Sequence, residues 1–372
     1  MSKFHSVKVK SIQRQTKDAV AITLDIPHDL KESFAYVPGQ YITFRVNIAG
    51  ESLNRSYSLC SAPSLAEDPS VAVKEVKGGK VSSFFNRSLK AGDSLEIMPP
   101  MGNFKADPSS DDKQHYILFG GGSGITPLFS ILKSVLHQAK DAKVSLFYAN
   151  YNSESVIFKQ ELLDLKTKFG TRFSLVHIFD KPNKSGGFLG FGKKNAEELE
   201  FEEGMLTGKM CLDLLKKYTD LNFRDSQFYM CGPGGLMDNV GSALSQLQIP
   251  QERVHREYFS EKSDTEKQSA SVGQADVNFS GKSKVEIIYD GASYNLEMDS
   301  KETILDAALD ANVDPPFACM VGACTTCRAK LVEGSAKMKD SQALTQKEIE
   351  AGFILTCQAH PTSEIVKINY DE

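Results

Sequence analysis

The 372-residue sequence predicts a multidomain protein: an antiparallel β-barrel, an α/β domain with a parallel sheet, and a small cysteine-bearing α+β domain. Three observations predict it. Residues 1–108 read as short strands punctuated by Pro and Gly, the pattern of a barrel. Residues 109–260 alternate strand and helix, the pattern of a parallel sheet. Residues 282–372 carry Cys319, Cys324 and Cys327 at C-x4-C-x2-C spacing, with Cys357 after a helix-like insert. Residues 261–281, rich in Ser, Lys, Glu and Gln, form a tether between the last two domains.

Bulk properties exclude several classes. The length suits two or three domains, and 41% hydrophobic residues support full cores. A formal net charge of −5 argues against general nucleic-acid binding. Residues 281–372 hold nine Lys and Arg against fifteen Asp and Glu, so most of the acidity sits at the cysteine-bearing end. That face suits a basic docking surface, and an ordinary solvated face fits it as well. No apolar run reaches the ~18 residues of a membrane span, and the start, Met1 to Val7, lacks a signal-peptide core. Seven cysteines without extracellular context imply reduced thiols and a soluble, cytoplasmic protein.

In the barrel, strands are expected at Val7–Ile12, Ala19–Asp25, Gln40–Val46, Arg55–Leu59 and Ser70–Val76. Strand alternation puts Arg55 and Tyr57 on one face and Ser56 and Ser58 on the other. An arginine fork suits a phosphate, a tyrosine face suits a flat ring, and a serine hydroxyl reaches a ring nitrogen. Alone, R-x-Y-S is more simply an ordinary strand. Gly78-Gly79-Lys80-Val81-Ser82-Ser83 then opens a helix whose free N–H groups suit a phosphate. A plain Gly-Gly turn with Ser82 or Ser83 as N-cap is the simpler alternative.

The strand His115–Phe119 runs into Gly120-Gly121-Gly122-Ser123-Gly124-Ile125-Thr126-Pro127. Apolar residues recurring from Leu128 to Leu136 then mark an amphipathic helix, with Thr126 as N-cap and Pro127 at its first position. Strand, glycine loop and helix in that order cradle a nucleotide diphosphate. After the strand Val144–Ala149 comes Asn150-Tyr151-Asn152, neither acidic as NAD favours nor basic as NADP favours. Residues 181–204 read as a surface insert. Within it Gly187-x4-Gly192-Lys193 nearly spells a phosphate loop, but Lys194 stands where Ser or Thr is required. The strand Gln227–Met230 leads into Cys231-Gly232-Pro233, where a cysteine is most simply a small buried residue.

The cysteine spacing is that of plant-type [2Fe–2S] centres, in which four thiolates hold two irons. Structural zinc usually takes C-x2-C pairs, so the x4 interval argues against it. Gly322, Ala323, Thr325 and Thr326 are small enough for the backbone to wrap a cluster. Asp290-Gly291 signals a hairpin, Ser300 is expected to cap a helix burying Ile304, Leu305, Ala308 and Leu309, and Thr345-x-x-Glu348 is a capping box. Cys357 is expected on the following strand.

Together, Arg55-Ser56-Tyr57-Ser58, the Gly78–Phe85 stretch, G-G-G-x-G-x-T-P at 120–127 and C-G-P-x-x-x-M at 231–237 resemble the ferredoxin–NADP reductase superfamily. With a C-terminal, β-grasp-like, plant-type ferredoxin domain, nearly the whole chain looks most like the reductase subunit of the ring-1,2-phenylacetyl-CoA epoxidase family. The resemblance implies FAD, with FMN second, in the barrel. Arg55 would meet the flavin diphosphate, Tyr57 stack on the isoalloxazine, Ser58 lie near N5 and Ser82 bind phosphate, with Ser56 and Gly79 beside them. Gly121, Gly122, Gly124, Thr126, Gly232 and Pro233 would hold NADPH or NADH. Cys231 would sit beside the nicotinamide, and Phe259 would cover the flavin where that ring enters. Cys319, Cys324, Cys327 and Cys357 would ligate the cluster. Where Tyr151 falls, relatives that use NADPH often carry Arg. The implied activity is an NAD(P)H-dependent oxidoreductase passing electrons to an oxygenase protein. A ring-hydroxylating dioxygenase or a hybrid-cluster protein are alternative acceptors, and a non-enzymatic redox carrier or sensor is the remaining alternative.

Overall fold

The computed structural model describes residues 4–109, 112–181, 200–259, 269–273, 279 and 281–372. The phosphate-loop-like stretch at 187–194 and most of the 261–281 tether lie outside the described residues.

The barrel is built from β1 (His5–Thr16), β2 (Ala19–Asp25), β3 (Tyr41–Ile48), β4 (Glu51–Ser58), β5 (Ser70–Lys74), α1 (Lys80–Arg87) and β6 (Ser94–Ile97). Its six strands run in the order β4-β3-β6-β1-β2-β5, antiparallel throughout. β4 starts four residues before the expected strand. Ala49 and Gly50 (φ 52° and 84°) make a two-residue turn that pairs Ile48 with Glu51, the left-handed geometry that matches strand twist. β6 is absent from the sequence expectation because its four residues are too short to show a period. Ile22, Leu24, Ile42, Phe44 and Phe85 fill the interior. α1 is capped by Gly79 without any side-chain cap, so neither Ser82 nor Ser83 takes that role.

The second domain contains β7 (His115–Gly121), α2 (Ile125–Gln138), β8 (Lys143–Asn150), α3 (Lys159–Phe169), β9 (Phe173–Phe179), β10 (Phe201–Glu203), α4 (Gly208–Tyr218), β11 (Ser226–Cys231), α5 (Gly234–Gln246) and β12 (Val254–Glu257). The sheet order is β10-β9-β8-β7-β11-β12, all parallel. The chain builds outward from β7 to β10, then returns to the other side of β7. A crevice therefore opens at the carboxyl ends of β7 and β11, where such sheets bind ligands. Two expectations change here. α2 begins at Ile125 with Gly124 at its N-cap, because Gly122–Gly124 is already a tight helical turn. The Thr126 hydroxyl instead donates back to the Ser123 carbonyl at 3.0 Å. The end of the expected insert also contributes structure, since β10 pairs with β9.

The third domain contains β13 (Ala270–Val272), β14 (Lys282–Tyr289), β15 (Ala292–Asp299), α6 (Ile304–Asp310), β16 (Arg328–Glu333), β17 (Ala336–Met338), α7 (Gln346–Glu350), β18 (Phe353–Leu355), β19 (Ala359–Pro361) and β20 (Ile365–Asn369). Its strands form a five-stranded sheet, β15-β14-β20-β16-β18, and a three-stranded one, β13-β17-β19. Asp290 and Gly291 turn with φ 52° and 72°, pairing Tyr289 with Ala292 as the hairpin signal expects. The Thr345–Glu348 capping box is formed. α6, however, is capped by Thr303, whose hydroxyl accepts the Asp306 N–H at 3.1 Å. Ser300 lies a turn too early. β13 falls inside the expected tether yet pairs with β17, so the third domain gathers its first strand from upstream. Cys357 lies in the turn after β18 rather than on a strand. Among the described residues no helix is long and apolar enough to cross a membrane.

Buried His177 is expected to make the second domain acid-sensitive. His177 on β9 is 1% exposed and stacks on Phe179 (centroids 5.5 Å apart), and neither ring nitrogen has a hydrogen-bonding partner among the described residues. Burial, with help from Lys159 and Lys166, lowers its pKa from 6.5 to about 4. The native ring stays neutral while the unfolded chain takes a proton below pH 6.5. Stability therefore falls as pH drops from 6.5 towards 4, by on the order of 3 kcal/mol in full. The expected outcome for His177→Leu is a flatter stability profile over that window, measured by urea unfolding at pH 7, 5.5 and 4.5. An unchanged profile would assign the acid sensitivity to other groups.

Candidate functional site

A cavity of about 440 Å³ opens where all three domains meet. β4 supplies Arg55, Ser56, Tyr57 and Ser58 to its wall, and the start of α1 supplies Gly79, Lys80 and Ser82. Ser123 and Thr126 come from the second domain's glycine turn, and Glu257, Tyr258 and Phe259 from the end of β12. Cys319, Val321, Ala323 and Cys324 complete it from the third domain.

The barrel wall is rigid. The Tyr57 ring packs edge-on against Phe44 (5.8 Å) and tilted against Phe85 (5.6 Å), which fixes its plane. Burial pushes its phenol above the ordinary range. Ser58 is buried at 3% exposure, whereas the exposed Arg55 donates to the Asn54 carbonyl at 2.7 Å and presents the rest of its fork to the cavity. The Ser82 hydroxyl accepts the Val76 N–H at 3.1 Å, closing the Gly78-Gly79 turn. Phe259 is 45% exposed at the cavity mouth. Glu257 also lines the wall, and burial pushes its carboxyl up to about 8, with the Cys319 charge adding to the shift.

The crevice of the parallel sheet is made by glycines. A Cβ on Gly124 would stand 2.0 Å from the Cys231 carbonyl oxygen, and one on Gly121 would stand 2.8 Å from Pro233 Cδ. Only bare backbone lets these two loops touch. Gly122, at φ +53°, has open space above it, and the Tyr148 hydroxyl donates to its carbonyl at 2.9 Å, pinning the turn. Gly121, Gly122, Gly124, Gly232 and Pro233 thus form one edge beside the cavity. Cys231 differs from its neighbours: its side chain is fully buried in the apolar core and lies off the cavity wall, with burial holding the thiol well above its usual pKa. Tyr151 stands exposed after β8, with the Lys181 ammonium 5.5 Å from its ring centre.

The four cysteines of the third domain converge. Cys319 contacts Cys324 and Cys357, and Cys357 contacts Cys327. Hydrogen bonds from Cys324 and Cys357, then from the Val321 and Cys324 N–H groups, hold Cys319 far below the usual thiol range. Cys324 and Cys357, which share protons with it, are pushed up. Gly322 (φ +73°) makes the loop possible, since a Cβ there would press to 3.0 Å from Gln358 Cγ. Three soft donors in one N–H-lined loop, with a fourth from the turn after β18, fit an iron–sulfur cluster. Among the described residues, no three Cys, His, Asp or Glu side chains group as ligands of a single metal ion. The cysteines' pairwise contacts suit a two-iron centre instead. Cys60 and Cys211 are buried elsewhere.

The comparisons with known proteins agree with this geometry. Residues 6–106 match the family described as oxidoreductase FAD-binding domain, 118–241 the oxidoreductase NAD-binding domain, and 287–362 the 2Fe-2S iron-sulfur cluster binding domain. The fold and site define an NAD(P)H-dependent oxidoreductase that carries FAD and a [2Fe–2S] cluster. The chain belongs to the ferredoxin–NADP reductase superfamily, in the arrangement that ends in a plant-type ferredoxin domain. It is 34% identical over 373 residues to a 1,2-phenylacetyl-CoA epoxidase subunit of Escherichia coli (strain K12), covering 100% of this chain and 99% of that protein. It is 35% identical over 364 residues to the ferredoxin reductase component of 3-ketosteroid-9-alpha-monooxygenase of Rhodococcus rhodochrous, covering 97% and 95%. The solved structure of phthalate dioxygenase reductase shares the fold, with a TM-score of 0.55, 22% identity and 98% of each chain covered.

Sequence reasoning missed Tyr41, which lines this cavity, and gave no role to Glu257 or Val321. No local pattern marks Tyr41, whose partners lie 284 and 285 residues away. Replacing Cys357 by Ser is expected to abolish the cluster's visible absorption and lower bound iron from two per chain, while Cys211→Ala leaves both unchanged. Iron analysis with visible spectroscopy checks this.

Proposed function

We propose that this protein takes electrons from NADPH or NADH and delivers them singly to an oxygenase component of the phenylacetyl-CoA epoxidase type. The observation that carries the reading is the shared wall: the cavity lined by Arg55–Ser58 is also lined by Cys319 and Cys324. Full-length identity of 34% to an epoxidase component supports the choice of acceptor. Bound in that cavity, a flavin would accept two electrons as hydride from the nicotinamide and release them one at a time to the cluster.

The chain's own residues orient and enclose. Tyr57, held by Phe44 and Phe85, offers a fixed flat face for the isoalloxazine, and Phe259 at the mouth is the cover that a nicotinamide displaces. Ser58 lies near N5. Arg55, with Ser56, Gly79 and Ser82, receives the flavin phosphates. For Ser82 the contribution is positioning of the Gly79 turn, since its hydroxyl already serves Val76. Gly121, Gly122, Gly124, Thr126, Gly232 and Pro233 receive the nicotinamide nucleotide, and Cys231 backs that edge from inside the core. Cys319, Cys324, Cys327 and Cys357 ligate the cluster. The thiolate ligands and three further free thiols suit a reducing cytoplasm.

A second acceptor, the oxygenase of another multicomponent system, has support in the 35% identity to the ferredoxin reductase component of 3-ketosteroid-9-alpha-monooxygenase. Anaerobic mixing with NADPH, and separately NADH, is expected to bleach both flavin and cluster bands, and the faster coenzyme is the physiological one. Flavin bleaching alone would break the proposed chain of transfer. Tyr57→Ala is expected to lose most bound flavin on purification, read by the flavin absorbance. Capture of an epoxidase oxygenase component from the native extract by the cluster-loaded protein supports that acceptor, and capture of a ring-hydroxylating dioxygenase replaces it.

A further inference from the structure

The barrel meets its two neighbours through different chemistry. Against the second domain it contributes Ala19, Cys60, Ala72 and Phe104 to one continuous apolar core. Against the third domain the contacts are mostly polar. Arg45 pairs with Asp314 at 2.8 Å, and Asn54 Nδ2 donates to the Phe317 carbonyl at 3.0 Å. At the centre, Tyr41 and Met101 of the barrel form a small apolar cluster with Ala318, Cys319 and Cys324.

Tyr41 is built for that position. Its backbone exchanges two 2.9 Å hydrogen bonds with Met101, and Gly102 leaves room for its ring, since a Cβ there would lie 2.9 Å from Tyr41 Cε1. Its hydroxyl accepts the Thr325 N–H at 3.0 Å and lies 3.0 Å from Thr325 Oγ1 and 3.2 Å from Thr326 Oγ1. One donor and two acceptor sites are all a phenol has, and all three are engaged. Thr326 stands between two cluster ligands, with its hydroxyl 3.4 Å from Cys324 Sγ and 3.3 Å from Thr43 Oγ1. Thr43 in turn lies 2.9 Å from the Ser56 hydroxyl on β4. Tyr41, Thr43 and Thr326 are each no more than 3% exposed.

We propose that Tyr41 is a positioning residue for flavin-to-cluster electron transfer, its hydroxyl holding the cysteine loop on the flavin cavity. Thr43 and Thr326 complete a hydroxyl chain from β4 to the Cys324 ligand. This rests on the flavin reading above. The phenol makes the third domain's otherwise polar seat specific in register: a shift of the loop breaks all three hydrogen bonds of the buried phenol at once.

The test uses the full-length holoprotein and Tyr41→Phe, which keeps the ring and removes only the hydroxyl. Anaerobic stopped-flow with NADPH or NADH is expected to show flavin bleaching unchanged and cluster bleaching slowed severalfold, because single-electron transfer weakens steeply with separation. NAD(P)H-dependent ferricyanide reduction, which draws on the flavin, stays at the wild-type rate. The cluster midpoint potential is unchanged, whereas hydrogen exchange of the peptide containing Thr325 quickens. Thr326→Val is expected to reproduce the slowing and Thr326→Ser to restore wild-type transfer. It is the arm used if Tyr41→Phe purifies without cluster. Wild-type cluster bleaching in Tyr41→Phe or Thr326→Val overturns the proposal, as does equal slowing of both steps, or a shifted potential in Tyr41→Phe. Failure of the wild-type cluster to bleach overturns the flavin reading instead.

Discussion

Single-electron transfer weakens steeply with separation, so a cavity that holds one redox centre and a loop that holds the next must share a wall. That requirement explains most of this architecture. The β3–β4 ribbon serves both sides, and its register pairs Tyr41 with Ser58 and Thr43 with Ser56. Opposite the cavity-lining residues of β4 stand the residues that reach the cysteine loop. A slip of one residue in this hairpin would turn both sets to the wrong face. The two-residue turn at Ala49-Gly50 therefore sets more than a strand boundary.

The two interfaces of the barrel differ as their tasks differ. Phe104, Tyr229 and Leu128 belong to one buried cluster spanning barrel and parallel sheet, and Tyr229 also donates to the Lys105 carbonyl at 3.2 Å. Such a contact behaves as a single core. The seat of the third domain is instead an array of hydroxyls and amides with the Arg45–Asp314 ion pair, the character of interfaces that form and part. Specificity there comes from saturated hydrogen bonds, since each buried partner left unmade is costly.

Much of this was legible in the sequence because it is local chemistry. Cysteine spacing, the glycine run at 120–124, the strand–loop–helix order and the Asp290-Gly291 turn each state a backbone requirement within a few residues. Where the reading changed, the competing force was also local but finer than the pattern. Thr303 rather than Ser300 caps α6, and a helical turn at Gly122–Gly124 moves the start of α2 ahead of Thr126. β13 was hidden because three residues in a polar stretch carry no period, and only β17 gives them a partner. Cys231 was read through its motif, and the fold turns its thiol into the core.

The sequence by itself determined the three domain types and the cofactor chemistry, because each depends on residues near one another along the chain. Only the tertiary structure decided that the cavity and the cluster loop share a wall, that Tyr41 meets Thr325 and Thr326 across 284 and 285 residues, and that Glu257 lines the same space. Contacts of that separation arise when finished domains pack, and a hydroxyl on one strand carries no mark of the loop it will meet.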